Sequence, residues 1–463
     1  MLAALTTLVL VLLSGRYGYH RDELYFLACG RHLAWGYPDQ PSLVPLLARL
    51  AYDIAPGSLV VLRLPSALAA GVTVILAGAM ARELGARRSG VWLASGATSL
   101  GGFVLATGHL LSTSTFALLG TTAATYALVR LLRGNAPSPP AWLALGLIVG
   151  ITLEASPFPV VLLTATGFAL LAVGPREVLR GPWPWVAVLV AIVIVSPYAV
   201  WQAHHGWPQI DVARGISGGS SVSSVSRPLF LPFLLLQAGP WLAAVWVPGL
   251  VRVLRDPRLR CLGVGFLVAT GTLLVVGGKP YYVGGWLPLL VAAGAQPVVD
   301  VVQRRWIIAG LVLSSPILVF SLPVLPVAHA HVAVSVNPDA GETIGWPQYA
   351  NHVVIVLRQL PPGTPVVTDN YGEAGALARF GPSGLRVYSG HNAYASWGHP
   401  PGRVEVLLVG VSDQLVHQAC ETSAEKAVIS SPHGIENGEN GTILRLCNPT
   451  RRWTDLWPLF SHT

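Results

Sequence analysis

The 463-residue chain has few charged residues and almost no lysine. Asp, Glu, Lys and Arg make up 11% of the sequence, and lysine occurs only at Lys279 and Lys426. In an ordinary soluble protein about a quarter of the residues are charged. Apolar residues make up 52%, which excludes a disordered chain as well as an ordinary soluble domain. The net charge of +8 comes from arginines scattered in short groups between apolar runs, so no nucleic-acid partner is predicted.

Cysteines and the common cofactor motifs are also scarce. The chain has four cysteines, without a CxxC pair or a zinc-type spacing. Cys420 and Cys447 either pair in an oxidising compartment or remain two buried thiols. Neither a GxxxxGKS/T phosphate-binding loop nor a dinucleotide-binding fingerprint is present. The residues themselves therefore predict no nucleotide cofactor and no metal ligand set.

What the sequence does contain is a series of long apolar runs. A membrane-spanning helix needs about 20 mostly apolar residues. Eleven candidate runs are present, two of them short: 1–14, 58–81, 89–108, 112–130, 141–153, 157–174, 183–200, 228–251, 261–276, 283–299 and 306–325. We therefore predict a polytopic α-helical membrane protein with about 11 transmembrane helices.

The arginines between the runs predict the orientation. If successive loops alternate sides, five short loops carry 13 basic residues, and the loops of the other side carry 8 when the C-terminal tail is left out. Loops rich in Lys and Arg stay on the cytoplasmic side. The first loop and the tail are therefore predicted to lie outside, in a multi-pass protein of the cell (plasma) membrane.

The composition changes near residue 327, after which no apolar run is long enough to span a membrane. The tail has β-like segments at 365–369, 403–411 and 442–446 and helical patterns at 346–360 and 412–427. Strands that alternate with helices favour a small α/β domain. We therefore divide the chain into a transmembrane domain, 1–326, with a first outer loop at 15–57, and an extracytoplasmic α/β domain, 327–463.

The first loop holds the densest group of ionisable and aromatic residues. Asp22 and Glu23 follow Arg21 shortly after the first run, among several tyrosines, and Asp39 lies in GYPDQP. Ionisable residues at membrane depth are costly and suggest function by default. Carboxylates beside aromatic rings suit a sugar, because rings stack on sugar faces and carboxylates accept hydroxyl protons. The alternatives are that Asp22 caps the following helix, with Glu23 in its first turn, and that Asp39 is a turn residue.

Basic and polar residues lie near the ends of other runs. Arg63 interrupts VVLRLPSALAA, and His109 lies in GHLLSTST. Lys279 lies in GGKPYYVGG and is followed by Tyr281 and Tyr282. Cations at this rim could hold the phosphate of a lipid-linked ligand. The alternative is that both cations only extend to the membrane interface.

Two polar clusters in the tail are typical of a surface that binds carbohydrate or lipid headgroups. TDNYGEAGAL contains Tyr371 and Glu373, and YSGHNAYASWGHPP contains His391, Asn392 and Trp397. Ordinary turn structure is the alternative for both clusters.

The series RDELYF, GYPDQP, WQ…GWP, GKPYY, YGEAGAL and YSGHN…WG resembles actinobacterial glycosyltransferase family 39-like proteins. These belong to the superfamily of dolichyl-phosphate-mannose–protein mannosyltransferases and bacterial aminoarabinose transferases, which has the C-type glycosyltransferase fold. The resemblance runs from about residue 15 to 460, and the acidic pair of the first loop is its most specific motif. At two points the chain departs from the pattern. LLSTSTF stands where relatives often carry an Asp, and LEASPF stands where many carry an Asn-Lys pair.

The resemblance implies an enzyme that moves a sugar from a polyprenyl-phosphate donor to an acceptor hydroxyl of a protein or glycan. The departures leave a bound divalent cation as an open alternative. The implied catalytic residues are Asp22 as general base and Glu23 as its acidic neighbour, and the implied phosphate contacts are Arg63 and Lys279. The implied cavity residues are Arg21, Asp39, His109, Tyr281 and Tyr282, and the implied acceptor surface is Tyr371, Glu373, His391, Asn392 and Trp397.

A different class of function also fits a multi-span chain with charges facing a cavity. The protein would then be a sugar-lipid transporter or a non-catalytic subunit of cell-envelope assembly. The ionisable residues favour the enzyme, because they gather on one side of the predicted membrane and the hydropathy shows no inverted repeat. The lipid bilayer is a partner in both cases.

Overall fold

The computed structural model describes residues 1–134, 138–219, 224–435 and 437–463. Each of the eleven apolar runs coincides with one helix or with two consecutive helices. The helices of this part are α1 Leu2–Leu13, α2 Arg21–Arg31, α3 Leu43–Ile54, α4 Leu59–Glu83, α5 Arg88–Ser99, α6 Gly102–His109, α7 Thr113–Arg133, α8 Pro139–Ala155, α9 Pro159–Val173, α10 Trp183–His204, α11 Pro208–Gly218, α12 Phe230–Ala238, α13 Ala243–Arg255, α14 Arg260–Val276, α15 Leu287–Val301, α16 Arg304–Ser314 and α17 Ile317–Ser321.

Several of these helices have the length and composition of membrane spans. Within the described residues, five segments qualify: Leu59–Glu83, Thr113–Arg133, Trp183–His204, Pro280–Val301 and Arg304–Ser321. The number rises to 7 if two bent pairs count as one span each, α5 with α6 (55°) and Arg227–Ala238 with Pro240–Arg255 (85°). The polytopic helical architecture is therefore confirmed. The number of about 11 crossings stays a prediction.

The spans pack through small residues and turn large apolar residues outward. Gly249 of α13 lies against the Leu290 carbonyl of α15, and Gly294 of α15 lies against the Val245 carbonyl, so neither position has room for a Cβ atom. Small residues at helix contacts are typical of membrane bundles, because they let the backbones approach closely. Helix α10 instead exposes aliphatic side chains along much of its length, as a lipid-facing helix does.

The tail folds around one mixed sheet of five strands. The strands are β1 Val366–Thr368, β2 Val387–Ser389, β3 Val406–Val409, β4 Cys420–Val428 and β5 Ile443–Pro449, in the order β2-β1-β3-β5-β4. Strand β1 runs parallel to β2 and β3, whereas β5 runs antiparallel to β3 and β4. The helices of this part are α18 His331–Val334, α19 Trp346–Leu357, α20 Tyr371–Phe380, α21 Asp413–Ala419 and α22 Trp453–Phe460.

The prediction of a helix at 412–427 is wrong for the second half of this segment. Only α21 is helical there, and β4 follows it as an edge strand. Strand β4 pairs with β5, and a disulfide between Cys420 and Cys447 links the two strands. Pairing with a distant strand overrides the local helical pattern. The structure also decides between the two alternatives for these cysteines in favour of pairing.

Helices of the first loop and elements of the tail share one hydrophobic core. Leu24 and Tyr25 of α2 and Val44 of α3 are buried together with Trp346 of α19 and Val366 of β1. The two parts of the chain that the composition separates are therefore packed on each other. This contact places α2 beside the carboxyl ends of the parallel strands.

Candidate functional site

A cavity of about 670 Å³ lies between the first loop, the ends of several apolar helices and the tail. Its lining includes ten of the predicted site residues: Arg21, Asp22, Asp39, His109, Lys279, Tyr281, Tyr282, Tyr371, His391 and Asn392. The cavity therefore brings the predicted base, one predicted phosphate contact and part of the predicted acceptor surface together. The other four predicted residues, Glu23, Arg63, Glu373 and Trp397, do not line it.

Asp22 reaches the cavity from the first turn of α2. The helix is capped by His20, whose Nδ1 accepts a hydrogen bond from the Asp22 backbone N–H at 3.2 Å. Glu23 Oε2 accepts from the His20 backbone N–H at 2.8 Å. The alternative that Asp22 is the helix cap is therefore wrong, because His20 has that role. The Asp22 side chain keeps 40% of its surface exposed.

The tail supplies its part of the cavity at one edge of the sheet. Tyr371 begins α20 three residues after β1 ends, and His391 follows β2 by two residues. The carboxyl ends of parallel strands meet at one edge of a sheet, where ligands commonly bind. Asn392 adopts a positive φ of 52°, and its backbone N–H donates to the His462 carbonyl at 2.8 Å.

Two stacked tyrosines connect the two cavity carboxylates. The Tyr371 hydroxyl donates to Asp22 Oδ1 at 2.8 Å, and the Tyr25 hydroxyl donates to Asp39 Oδ1 at 2.9 Å. The two rings stack with centroids 4.6 Å apart. Each carboxylate thus accepts a hydrogen bond from its own tyrosine.

The two carboxylates have opposite electrostatic surroundings. Burial alone would raise the pKa of Asp22, but His20, Arg21, the Tyr371 hydrogen bond and Lys279 together hold that pKa below its usual 3.8. Burial raises the pKa of Asp39 to about 7, and the negative charge of Asp22 adds to this effect. Asp22 is therefore ionised at neutral pH, whereas Asp39 keeps its proton to a higher pH than an ordinary aspartate. Two carboxyl groups whose environments separate their pKa values are typical of sites that transfer protons.

Glu23 and Arg63 lie beneath this surface as a buried ion pair. Arg63 Nη2 is 2.7 Å from Glu23 Oε2, and both side chains have 0% exposure. The other Arg63 contacts are Nε to Glu23 Oε1 at 2.8 Å, Nη1 to the Ser14 carbonyl at 2.7 Å and to His109 Nε2 at 3.4 Å, and Nη2 to the Gly18 carbonyl at 2.5 Å. These contacts occupy the five N–H donors of a guanidinium. The placement does not support a direct contact between Arg63 and a donor phosphate, or between Glu23 and a substrate.

Lys279 lies in the cavity wall between α14 and the 3-10 turn Pro280–Trp286. Burial alone would lower the pKa of Lys279, but Tyr281, Asp339 and Asp22 raise that pKa above its usual value, so the amine is charged. Its Nζ lies 5.8 Å from the centre of the Tyr281 ring.

Apolar side chains of the membrane helices also line the cavity. Tyr282 stacks on Phe158 at 4.4 Å. Further large side chains from α6, α12 and α17 line the cavity, namely Phe103, Phe233, Leu236 and Ile317, together with the polar Thr107 and Gln237. The cavity lining therefore combines charged side chains with apolar side chains from the membrane helices.

Two predicted acceptor residues lie away from the cavity for structural reasons. Glu373 has 1% exposure and accepts from the Asn370 backbone N–H at 3.2 Å, as part of the cap of α20. Burial raises its pKa to about 8. Trp397 stacks on His32 with ring centres 4.4 Å apart.

The sequence prediction gave no role to several residues that line the cavity or support its carboxylates. Tyr25 lies three residues after Asp22, and this helical spacing on one face would have indicated a shared site. His20 was missed because its cap resembles a Ser/Thr capping box with an imidazole in place of the hydroxyl. Asp339 and His462 also line the cavity, and nothing in the local sequence indicates this. Across the described ranges, no three His, Cys, Asp or Glu side chains lie close enough to hold a metal ion.

Comparisons with known proteins agree with this architecture. The family described as dolichyl-phosphate-mannose-protein mannosyltransferase matches residues 39–201. The fold matches ArnT from Cupriavidus metallidurans in the apo state, with a TM-score of 0.65 and 13% identity over 96% of this chain and 97% of that chain. The same protein bound to undecaprenyl phosphate matches with a TM-score of 0.61 and 15% identity over the same shares. No curated protein sequence matches the chain significantly.

A larger structure extends the comparison. Arabinofuranosyltransferase AftD from Mycobacteria matches with a TM-score of 0.52 and 13% identity, over 96% of this chain and 41% of that chain. The protein thus has the fold of the polytopic C-type glycosyltransferases. The resemblance to the dolichyl-phosphate-mannose-protein mannosyltransferase family is confirmed over residues 39–201, and the likeness to ArnT extends to the fold of nearly the whole chain.

Proposed function

We propose that this protein is a membrane glycosyltransferase that moves a sugar from a polyprenyl-phosphate donor to an acceptor hydroxyl, with Asp22 as the general base. The observation that supports this most is one cavity whose lining holds the Asp22 carboxylate, the Lys279 cation and several large apolar side chains of the membrane helices. A polyprenyl-phosphate sugar needs each of these three features. The apolar side chains of the lining suit the prenyl chain, and Lys279 suits the phosphate.

The proposed reaction is a single displacement at the anomeric carbon of the donor. The acceptor oxygen forms a bond to that carbon while the bond from the carbon to the phosphate oxygen breaks. The acceptor proton passes to Asp22, and the electron pair of the broken bond leaves with the polyprenyl phosphate. Lys279 offsets the charge that grows on the phosphate. Because one base acts without a covalent intermediate, the anomeric configuration inverts.

The relatives support the kind of donor and leave the sugar open. The matched family is described by dolichyl-phosphate-mannose, and the ArnT structure holds undecaprenyl phosphate. We propose that Tyr371, His391 and Asn392 lie on the acceptor side of the cavity. The acceptor is a hydroxyl of a protein or glycan.

We also propose that the cavity and the tail lie on the outer face of the plasma membrane. The arginine distribution supports this orientation. Ser383 in the tail and Ser89 at the start of α5 are both exposed positions for introduced cysteines. In intact cells an impermeant thiol reagent should label Ser383→Cys and not Ser89→Cys. The reverse pattern would invert the orientation.

The proposed reaction is tested by comparing the protein with its Asp22→Asn variant. Purified protein is given synthetic undecaprenyl-phosphate mannose or arabinofuranose with a panel of hydroxyl peptides and oligosaccharides, and released undecaprenyl phosphate is measured. Loss of a general base lowers the rate by about 10²–10⁴-fold. The melting temperature should stay near normal, because His20 caps α2 and an amide oxygen can still accept the Tyr371 hydrogen bond.

The matched control is Asp53→Asn, which removes an exposed carboxylate on α3 that pairs with Arg49. This variant should keep full activity. An active Asp22→Asn protein would remove Asp22 from the mechanism. Movement of the labelled lipid across vesicles without cleavage would favour a transporter.

A further inference from the structure

We propose that Tyr371 is a positioning residue for the catalytic base: its hydroxyl, supplied by the tail, holds Asp22 Oδ1 and leaves Oδ2 to take the acceptor proton. This inference rests on the proposed function and changes the role of Tyr371 from an acceptor contact to a support for the base. The contact joins residues 349 positions apart in the sequence. The site is therefore complete only when the tail is docked on the first loop.

The packing of α20 on α2 explains how the hydroxyl reaches the carboxylate. A Cβ atom at Gly372 would lie 2.9 Å from Arg21 Cβ, and one at Gly375 would lie 2.8 Å from Leu24 Cβ. These two glycines in YGEAGAL let the helices approach closely at the turn that begins with Tyr371. The two glycines of this motif thus allow the close helix contact that brings the Tyr371 hydroxyl to Asp22.

The Tyr371 ring is held on two sides, so that its hydroxyl has little freedom. It stacks on Tyr25 at 4.6 Å, and the guanidinium carbon of Arg21 lies 4.8 Å from its centre. Its other neighbour is His391, with ring centres 4.7 Å apart. A ring fixed in this way fixes the carboxylate that accepts its hydrogen bond. Such pre-organisation is worth most for a group whose orientation limits proton transfer.

The pKa of Asp22 depends on several charged and titratable groups, including Tyr371. They are His20 and Arg21 on the same helix segment, Lys279 in the cavity wall, Asp39 in the first loop, and Tyr371 and His391 from the tail. Burial lowers the pKa of His391 to about 3, so that this ring is neutral. The Tyr371 hydrogen bond lowers the pKa of Asp22. Removing it should raise that pKa, which moves the acidic limb of the rate profile to higher pH.

The first test measures the contact without using activity. Melting temperatures of the full-length protein are compared for Tyr371→Phe, Asp22→Ala and the double variant in a double-mutant cycle, because alanine, unlike asparagine, removes the oxygen that accepts the Tyr371 hydrogen bond. Phenylalanine keeps the ring and both stacking contacts and removes only the hydroxyl. We expect the two changes to be coupled, since both act on one hydrogen bond. Additive effects would overturn the proposed contact, whatever the activity of the protein.

The second test measures the role of the contact in the reaction, with undecaprenyl-phosphate mannose or arabinofuranose as the probe. Tyr371→Phe should move the acidic limb upward by roughly one pH unit and lower kcat by about tenfold, with little change in the KM of the acceptor. A raised acceptor KM with an unchanged pH profile would instead make Tyr371 an acceptor contact and overturn the proposal. If Asp22→Asn is fully active, Asp22 is not the base and the positioning role fails with it. If instead the unchanged protein releases no undecaprenyl phosphate, the proposed function fails, whereas the first test still decides whether the contact exists.

Tyr394 gives a matched control for both tests. It is a buried tyrosine of the tail whose ring lies 6.3 Å from Tyr25, and its hydroxyl has no hydrogen-bond partner among the described residues. Tyr394→Phe should leave the pH profile unchanged and should show no coupling to Asp22→Ala. A shift as large as that of Tyr371→Phe would assign the effect to general packing and overturn the proposal.

Discussion

The buried network around Arg63 and the cavity wall around Lys279 each contain a cation that the sequence placed at the end of an apolar run, but the two cations have different surroundings. Arg63 directs its donors to Glu23, to two backbone carbonyls and to His109, at 0% exposure. Lys279 lines a cavity large enough for a ligand. A guanidinium whose donors are all occupied fixes the structure, whereas an amine in a cavity wall can meet a substrate.

The Arg63 network connects the elements that carry Asp22. Through Ser14 and Gly18 it fixes the chain between α1 and α2, and through Glu23 it fixes the first turn of α2. Glu23 Oε1 also accepts from the Leu111 backbone N–H at 2.9 Å, which adds the turn before α7. The neighbours Asp22 and Glu23 thus have different surroundings. The Asp22 carboxylate lines the cavity, and the Glu23 carboxylate pairs with Arg63 in the protein interior.

The largest expected effect is on stability. Arg63→Ala should lower the free energy of unfolding by about 3–5 kcal/mol, because it leaves the Glu23 charge buried and unpaired. The measurement is unfolding in detergent, followed by the loss of helical signal.

Arg49 provides the matched control for Arg63. Its Nε lies 2.7 Å from Asp53 Oδ2, the same distance as in the buried pair, but the two side chains are 43% and 49% exposed. Arg49→Ala should therefore cost only about 0–1 kcal/mol. Equal losses for the two variants would contradict the distinction between a structural and an exposed ion pair.

The contrast between Arg63 and Lys279 also marks what the sequence alone can predict. Apolar runs are local patterns, and every one of them coincides with a helix. The alternating strands and helices of the tail were also predicted from local patterns. One segment with a helical pattern is part of strand β4 instead. Arg63 and Lys279 both read as cations at the end of an apolar run. Only the folded chain shows that Ser14, Gly18 and Glu23 already surround one of them.

Contacts between residues far apart in the chain could not be predicted from the sequence either. The aromatic setting of Asp22 was recognised within the first loop, but its hydrogen-bond partner comes from α20. Glu373 and His391 both lie in polar motifs of the tail. One is buried in a helix cap and the other lines the cavity, which is a difference of position that composition does not encode.

The smaller expected effect is on donor use. Lys279→Ala should raise the KM for undecaprenyl-phosphate mannose or arabinofuranose about tenfold or more, because a hydrogen bond to a charged group is worth about 1.5–3 kcal/mol. Lys426→Ala is a matched control, since the only other lysine is exposed on β4 and far along the sheet from the cavity-lining strand ends. It should leave the KM unchanged.

If Lys279→Ala instead kept its donor KM and lost stability as Arg63→Ala does, both cations would be structural, and the cavity would need another phosphate contact. Arg21 would then be the remaining cation to test, because it lines the same cavity, although it already lies 3.7 Å from Glu342 and against the Tyr371 ring.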